Sequence, residues 1–140
     1  MLGICFGFDR YAYSRNEWAY MLDNFGVTDV WEHGINAERI EGYPKSTIVQ
    51  SAAELPDCDL VVLAPPDGRQ VKGESLLYDF VHPEGDTIYI AGQNNVQFDP
   101  EFLSDRAYQS VYIPSEEHEF FALTAIANVL YDRRSKEWAR

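Results

Sequence analysis

A chain of 140 residues, 46% apolar and 14% aromatic, has the length and composition of one folded domain and excludes a disordered polypeptide. A formal net charge of −12 repels phosphate backbones, so nucleic acid is a poor default partner. No apolar run approaches the roughly 18 residues of a membrane helix. The start "MLGICFGFDRYAYSRNEW" has no basic region before its short apolar run, so no secretory leader is expected, and the expected compartment is the cytoplasm.

The elements follow in chain order. "LGICFGF" (2–8) is a short apolar strand. "RNEWAYMLDNFG" (15–26) is a helix: Ser14 can cap it, Glu17 stands three residues on, Trp18, Met21, Leu22 and Phe25 keep helical spacing, and Gly26 closes it. "VTDVWEHG" (27–34) and "STIVQS" (46–51) are the next strands, with a loop over 36–45 between them. "AAELPDC" (52–58) is a connector that Pro56 keeps from becoming a helix. The unbroken run "DLVVLAPP" (59–66) reads as a strand buried on both faces. The pattern predicts a helix within 68–82, a fifth strand at "DTIYIAG" (86–92), one helical turn after Pro100, a sixth strand at "SVYIP" (110–114) and a last helix over 116–134. Strands alternating with helical segments imply an α/β fold, a mostly parallel sheet with helices on both faces, in one unit spanning 1–140.

Open α/β sheets bind ligands beyond the carboxyl ends of their strands. Three such ends carry unusual loops: "LAPPDG", "IAGQNN" and "YIPSEE". Each alone reads as a tight strand exit; together they make Ala64, Pro65, Ala91, Gly92, Gln93, Ile113 and Pro114 candidates for one pocket. The cluster Glu116, Glu117, His118 and Glu119 suits a helix N-terminus better than a metal site, because adjacent residues do not converge on one ion. No metal site is expected. Cys5 and Cys58 lack motif spacing and read as small buried thiols. Arg133, Arg134, Lys136 and Arg140 crowd the C-terminus, as suits a helix end.

The stretch "DTIYIAGQNNVQFDPEFL … VYIPSEEHEFFALTAIANVLYDRR" resembles the C-terminal half of the SPOUT methyltransferase superfamily, in its TrmH-like (SpoU) branch. The resemblance rests on Gly92, Pro100, Glu101, Ile113, Pro114, Ala125, Ala127, Leu130, Tyr131, Asp132 and Arg134, with "NFGVTDVW" echoing the family's turn into its second strand. It implies a C-terminal trefoil knot, an S-adenosylmethionine pocket that adds Phe121 and Leu123 to the loop residues above, and a homodimer through the last helix. That helix is apolar on most of its circumference, which requires two apolar neighbours. Small residues, Ala122, Ala125 and Ala127, would let helices approach closely.

The family's catalytic positions are changed. Set on the "FGV" landmark, the catalytic arginine falls on Tyr20 and its asparagine on Ser14. The loop glutamate falls on Asn94, its second glycine on Gln97, and the Ser-Leu-Asn segment on Glu119 and Phe121. Arg10, Arg15 and Tyr20 are therefore the catalytic candidates, with surface charge as the competing reading for both arginines. Two functions follow: a divergent S-adenosylmethionine-dependent methyltransferase, with RNA as the family's substrate but disfavoured by charge, or a non-catalytic homodimeric binding or regulatory protein on the same scaffold. A flavodoxin-like domain ranks last, because "GFDRYAYSRN" lacks a phosphate-binding loop's glycines and hydroxyls.

Overall fold

A computed structural model describes residues 1–7, 15–33, 46–64, 75–92, 100–113 and 122–139. Seven strands form one sheet: β1 (Leu2–Gly7), β2 (Asp29–His33), β3 (Ser46–Ile48), β4 (Asp59–Ala64), β5 (Ser75–Leu76), β6 (Thr87–Ile90) and β7 (Gln109–Tyr112). Their order is β3-β2-β1-β6-β4-β7-β5, and every pairing is parallel. Helix α1 (Arg15–Asn24) follows β1, and α2 (Ala122–Trp138) follows β7.

The alternation of side chains sorts the core into two layers. Ile4, Phe6, Val30, Val61, Leu63, Tyr89 and Val111 face Trp18 and Leu22 of α1 and Ile126, Val129 and Leu130 of α2. Cys5, Leu60, Val62, Ile88 and Ile90 face the opposite way. There they meet two short 3₁₀ helices, Ala52–Glu54 and Pro100–Leu103, through Ala52, Phe102 and Leu103. A parallel sheet buries both faces, which explains the unbroken apolar run of β4.

Local chemistry sets the boundaries. At the end of α1, Gly26 takes φ +71, the Gly26 N–H donates to the Asp23 carbonyl (3.2 Å) and the Val27 N–H to the Leu22 carbonyl (3.0 Å). That is a Schellman cap, and it needs a residue without a Cβ penalty. Gly3 is needed for space, since a Cβ there would stand 2.6 Å from the Trp31 ring. Ser51 and Glu54 form a capping box on the first 3₁₀ helix. Arg106 holds the following bend by donating to the carbonyls of Ala52, Leu55, Pro56 and Cys58.

Two expectations are corrected. The helix expected within 68–82 is absent from its described part: Ser75–Leu76 pair with Val111 and Tyr112 as a seventh strand, Leu77–Asp79 make one 3₁₀ turn, and Phe80 is extended. The carbonyls of Leu77 and Phe80, which a helix would satisfy itself, instead accept from Lys136 Nζ at 2.6 and 2.8 Å. The last helix also runs beyond 134 to Trp138, carried by the i,i+4 ion pairs Asp132–Lys136 (2.7 Å) and Arg133–Glu137 (3.3 Å).

Candidate functional site

The site is built by sheet order. Along the carboxyl edge, the ends of β2, β1, β6, β4 and β7 lie side by side. Val62 pairs with Ile90, and Ala64 with Tyr112, so the register carries Ala64, Ala91, Gly92 and Ile113 to one edge over three adjacent strands. Ala91 is buried, whereas Gly92 and Ile113 are half-buried. Leu123, in the first turn of α2, packs with Ile113 against the α-helical core layer. The strand order reverses here, since β1 leads outward to β2 and β3 while β6 separates β1 from β4. Ligand crevices of α/β sheets form at such a reversal.

The other expected site residues are dispersed. Arg15 opens α1, and Tyr20 lies on that helix with 69% of its surface exposed. Arg10, Pro65, Gln93, Pro114 and Phe121, like Ser14 and the acidic cluster 116–119, lie outside the described residues.

Two residues at the end of β2 escaped the sequence reading. His33 is buried, its Nε2 lies 2.8 Å from the Ala91 carbonyl oxygen, and its ring stacks on Phe102 at 4.5 Å. Burial lowers its pKa, and the bond to Ala91 opposes that shift. Glu32 points to the opposite face, opposite Phe6 in the ladder, and is only 1% exposed. Its Oε2 is buried without a hydrogen-bond partner among the described residues, and burial raises its pKa. An unpaired buried carboxyl is costly, and such groups cluster where a protein does something besides fold. The only sequence signal was a charged residue and a histidine at a strand's carboxyl end.

A second polar cluster sits near the end of α2. His82 Nδ1 lies 2.7 Å from the Tyr89 hydroxyl, and its Nε2 lies 2.7 Å from Asp132 Oδ2. Arg133 donates to the same hydroxyl at 2.9 Å, and Lys136 pairs with Asp132 at 2.7 Å. One assignment satisfies every group: Arg133 donates to Tyr89, Tyr89 to Nδ1 of His82, and Nε2–H of His82 to Asp132. Burial lowers the His82 pKa; Asp132 raises it, and Lys136 and Arg133 lower it. Burial likewise pushes the Tyr89 hydroxyl up. Beside the cluster lies a cleft of about 280 Å³ lined by residues including Tyr78, Phe80, Val81, His82, Arg133 and Lys136. Arg133 and Lys136 are thus engaged within the chain. Arg134 completes the pattern by donating to the Asn24 carbonyl at the end of α1 and stacking over Phe25 at 5.0 Å.

Both cysteines are free thiols, with pKa values raised by burial. Among the described residues no helix is long and apolar enough to cross a membrane. On α2, Ile126, Val129 and Leu130 are buried, while Tyr131 (68%) and Trp138 (79%) are exposed.

The fold is similar to that of solved methyltransferase structures, a SpoU methyltransferase among them. A probable methylase family protein from Haemophilus influenzae Rd KW20 superposes with TM-score 0.75 at 15% identity, over 99% of this chain and 65% of that one. An AdoMet-bound rRNA methyltransferase from Sinorhizobium meliloti gives 0.73 at 10% identity, over 96% and 56%. The SpoU methyltransferase AviRb from Streptomyces viridochromogenes, in complex with AdoMet, gives 0.68 at 15% identity, over 100% and 62%. This chain therefore spans about 56 to 65% of the length of these three proteins. No family model and no curated protein matches the sequence.

Proposed function

We propose that this protein binds S-adenosylmethionine at the carboxyl edge of β6, β4 and β7, in a C-terminal trefoil knot, and is a methyltransferase-related member of the SPOUT scaffold. The observation that carries the reading is the register that brings Ala64, Ala91, Gly92 and Ile113 to one edge, together with the likeness in fold to AdoMet-bound structures. The residues present fit the group. Ala64, Ala91 and Gly92 are small and let a ligand come close to the strand ends, the Gly92 N–H being the backbone donor offered there, while Ile113 and Leu123 supply apolar surface for a base. When bound, the cofactor supplies an electrophilic methyl group on a sulfonium. The chain's own task is to hold it, exclude water and orient an acceptor against it.

For methyl transfer itself, Arg10, Arg15 and Tyr20 are the candidates. A specific observation favours the second reading, a binding or regulatory protein. The family's arginine position is occupied by Tyr20, which is exposed, and Arg133, Arg134 and Lys136 are engaged within the fold. A net charge of −12 adds to the case against RNA as a direct partner. We further propose a homodimer through the exposed face of α2, which carries Tyr131; Tyr131→Glu should shift the sedimentation coefficient to that of a monomer.

The test is isothermal titration with S-adenosylmethionine and S-adenosylhomocysteine, with Gly92→Trp as the control. Micromolar binding lost in Gly92→Trp supports the site. No heat from folded protein at high ligand concentration overturns it and turns the search to protein partners.

A further inference from the structure

The Ala91 carbonyl oxygen has two lone pairs and two partners. The Gly7 N–H donates to it from β1 at 3.2 Å, and His33 Nε2 lies 2.8 Å away from β2. A carbonyl only accepts, so Nε2 must carry the proton. The Ala91 N–H in turn donates to the Cys5 carbonyl at 2.9 Å. The peptide between Ala91 and Gly92 is thus held from the β1 side. Because a trans peptide sets its C=O and N–H on opposite sides, the Gly92 N–H is aimed away from β1, toward the side of β4. The same imidazole stacks on Phe102, in the 3₁₀ helix that follows Gly92 in the chain. One buried side chain therefore touches the backbone just before Gly92 and the helix ten residues later.

We infer that His33 is a positioning residue that fixes the orientation of the Ala91–Gly92 peptide, and through it the backbone donor that Gly92 presents at the strand-end site. The inference rests on the proposed cofactor reading for its functional consequence, and on geometry alone for the clamp. His33 does not touch the ligand. It spans β1 from the neighbouring strand β2 to reach β6, using the second lone pair that the regular ladder leaves open. An ordinary apolar residue at 33 would fill the same space but leave that lone pair empty, and the carbonyl would keep a single weak tether. A backbone site gains affinity from donors that are already aimed, because no ordering is then needed on binding.

Three variants test it. His33→Phe keeps an aromatic ring against Phe102 and removes the donor. His33→Gln keeps a donor on a side chain of similar reach. Leu55→Ala opens a cavity beneath the first 3₁₀ helix, at a residue that touches neither the Ala91–Gly92 peptide nor His33 in any contact described above, and serves as a control for general destabilisation. The readouts are amide exchange at Gly92 and the Kd of S-adenosylhomocysteine. In His33→Phe, exchange at Gly92 should accelerate and Kd should rise about tenfold. His33→Gln should restore Kd to within about threefold of the parent, and Leu55→Ala should change neither readout despite its lower Tm. Unchanged exchange and affinity in His33→Phe, or an equal loss in Leu55→Ala, would overturn the clamp. If the parent itself does not bind, the cofactor reading fails, and exchange at Gly92 alone decides the clamp.

Discussion

Two polar regions among the described residues are built on opposite rules. At the end of α2, His82, Tyr89, Asp132, Arg133 and Lys136 form a closed network in which each donor meets an acceptor. At the end of β2, Glu32 keeps a buried oxygen with no partner among the described residues, one residue from a histidine committed to the Ala91 carbonyl. A satisfied network locks elements together and is destabilising to break. An unsatisfied group contributes nothing to folding and marks a place where stability has been given up. The closed region accordingly reads as the anchor of α2, and the open region borders the strand-end site.

The contrast can be broken most forcefully at the anchor. His82→Ala removes the bridge between Tyr89 and Asp132 and should cost about 2–4 kcal/mol by denaturant unfolding. Lys136→Met takes the lysine donor from the Phe80 carbonyl and leaves the Leu77 carbonyl with the Phe80 N–H alone, and should cost about 1–2 kcal/mol while sparing the strand-end site. Glu32→Gln should go the other way and stabilise the fold by about 1 kcal/mol at neutral pH. The sign follows from linkage. Glu32 has a folded pKa above its ordinary value of 4.5, so the fold carries a penalty once pH rises through that folded value, and sheds it on acidification. The gain in Glu32→Gln should therefore vanish in unfolding curves taken near pH 4.

The histidines give the smallest effect and the opposite slope. His82 and His33 both have folded pKa values below 6.5, so the unfolded chain takes up protons first as pH falls through that value, and stability is lost. Each can contribute at most about 1.4 kcal/mol per pH unit. Replacing His82 with Phe should flatten the acid limb without abolishing it, because His33 remains. An unchanged limb would mean that His82 is not the buried neutral residue described.

What the sequence revealed, and what it hid, divides along the same line. Gly26, Pro100 and the run Leu60–Leu63 declared a helix cap, a turn and a buried strand, because each acts through its own backbone or immediate neighbours. The strand-end loops were readable as a group for the same reason. His33 and His82 were not, since their partners Ala91 and Asp132 lie 58 and 50 residues away. The strand at Ser75–Leu76 was hidden for a related reason. A two-residue edge pairing and carbonyls held by a lysine 59 and 56 residues further on leave no periodic trace, so the apolar residues there read as helix. The sequence placed Arg133, Arg134 and Lys136 at a helix end but did not show their partners, which lie 44, 110 and 59 residues away.

The most direct test sets the two regions against each other in one titration. S-adenosylhomocysteine is titrated into the parent, Gly92→Trp and Lys136→Met, each first shown to be folded. The expected result is micromolar binding by the parent, binding retained in Lys136→Met, and binding lost in Gly92→Trp. Binding that survives Gly92→Trp and disappears in Lys136→Met would move the ligand to the cleft beside α2 and contradict the strand-end site.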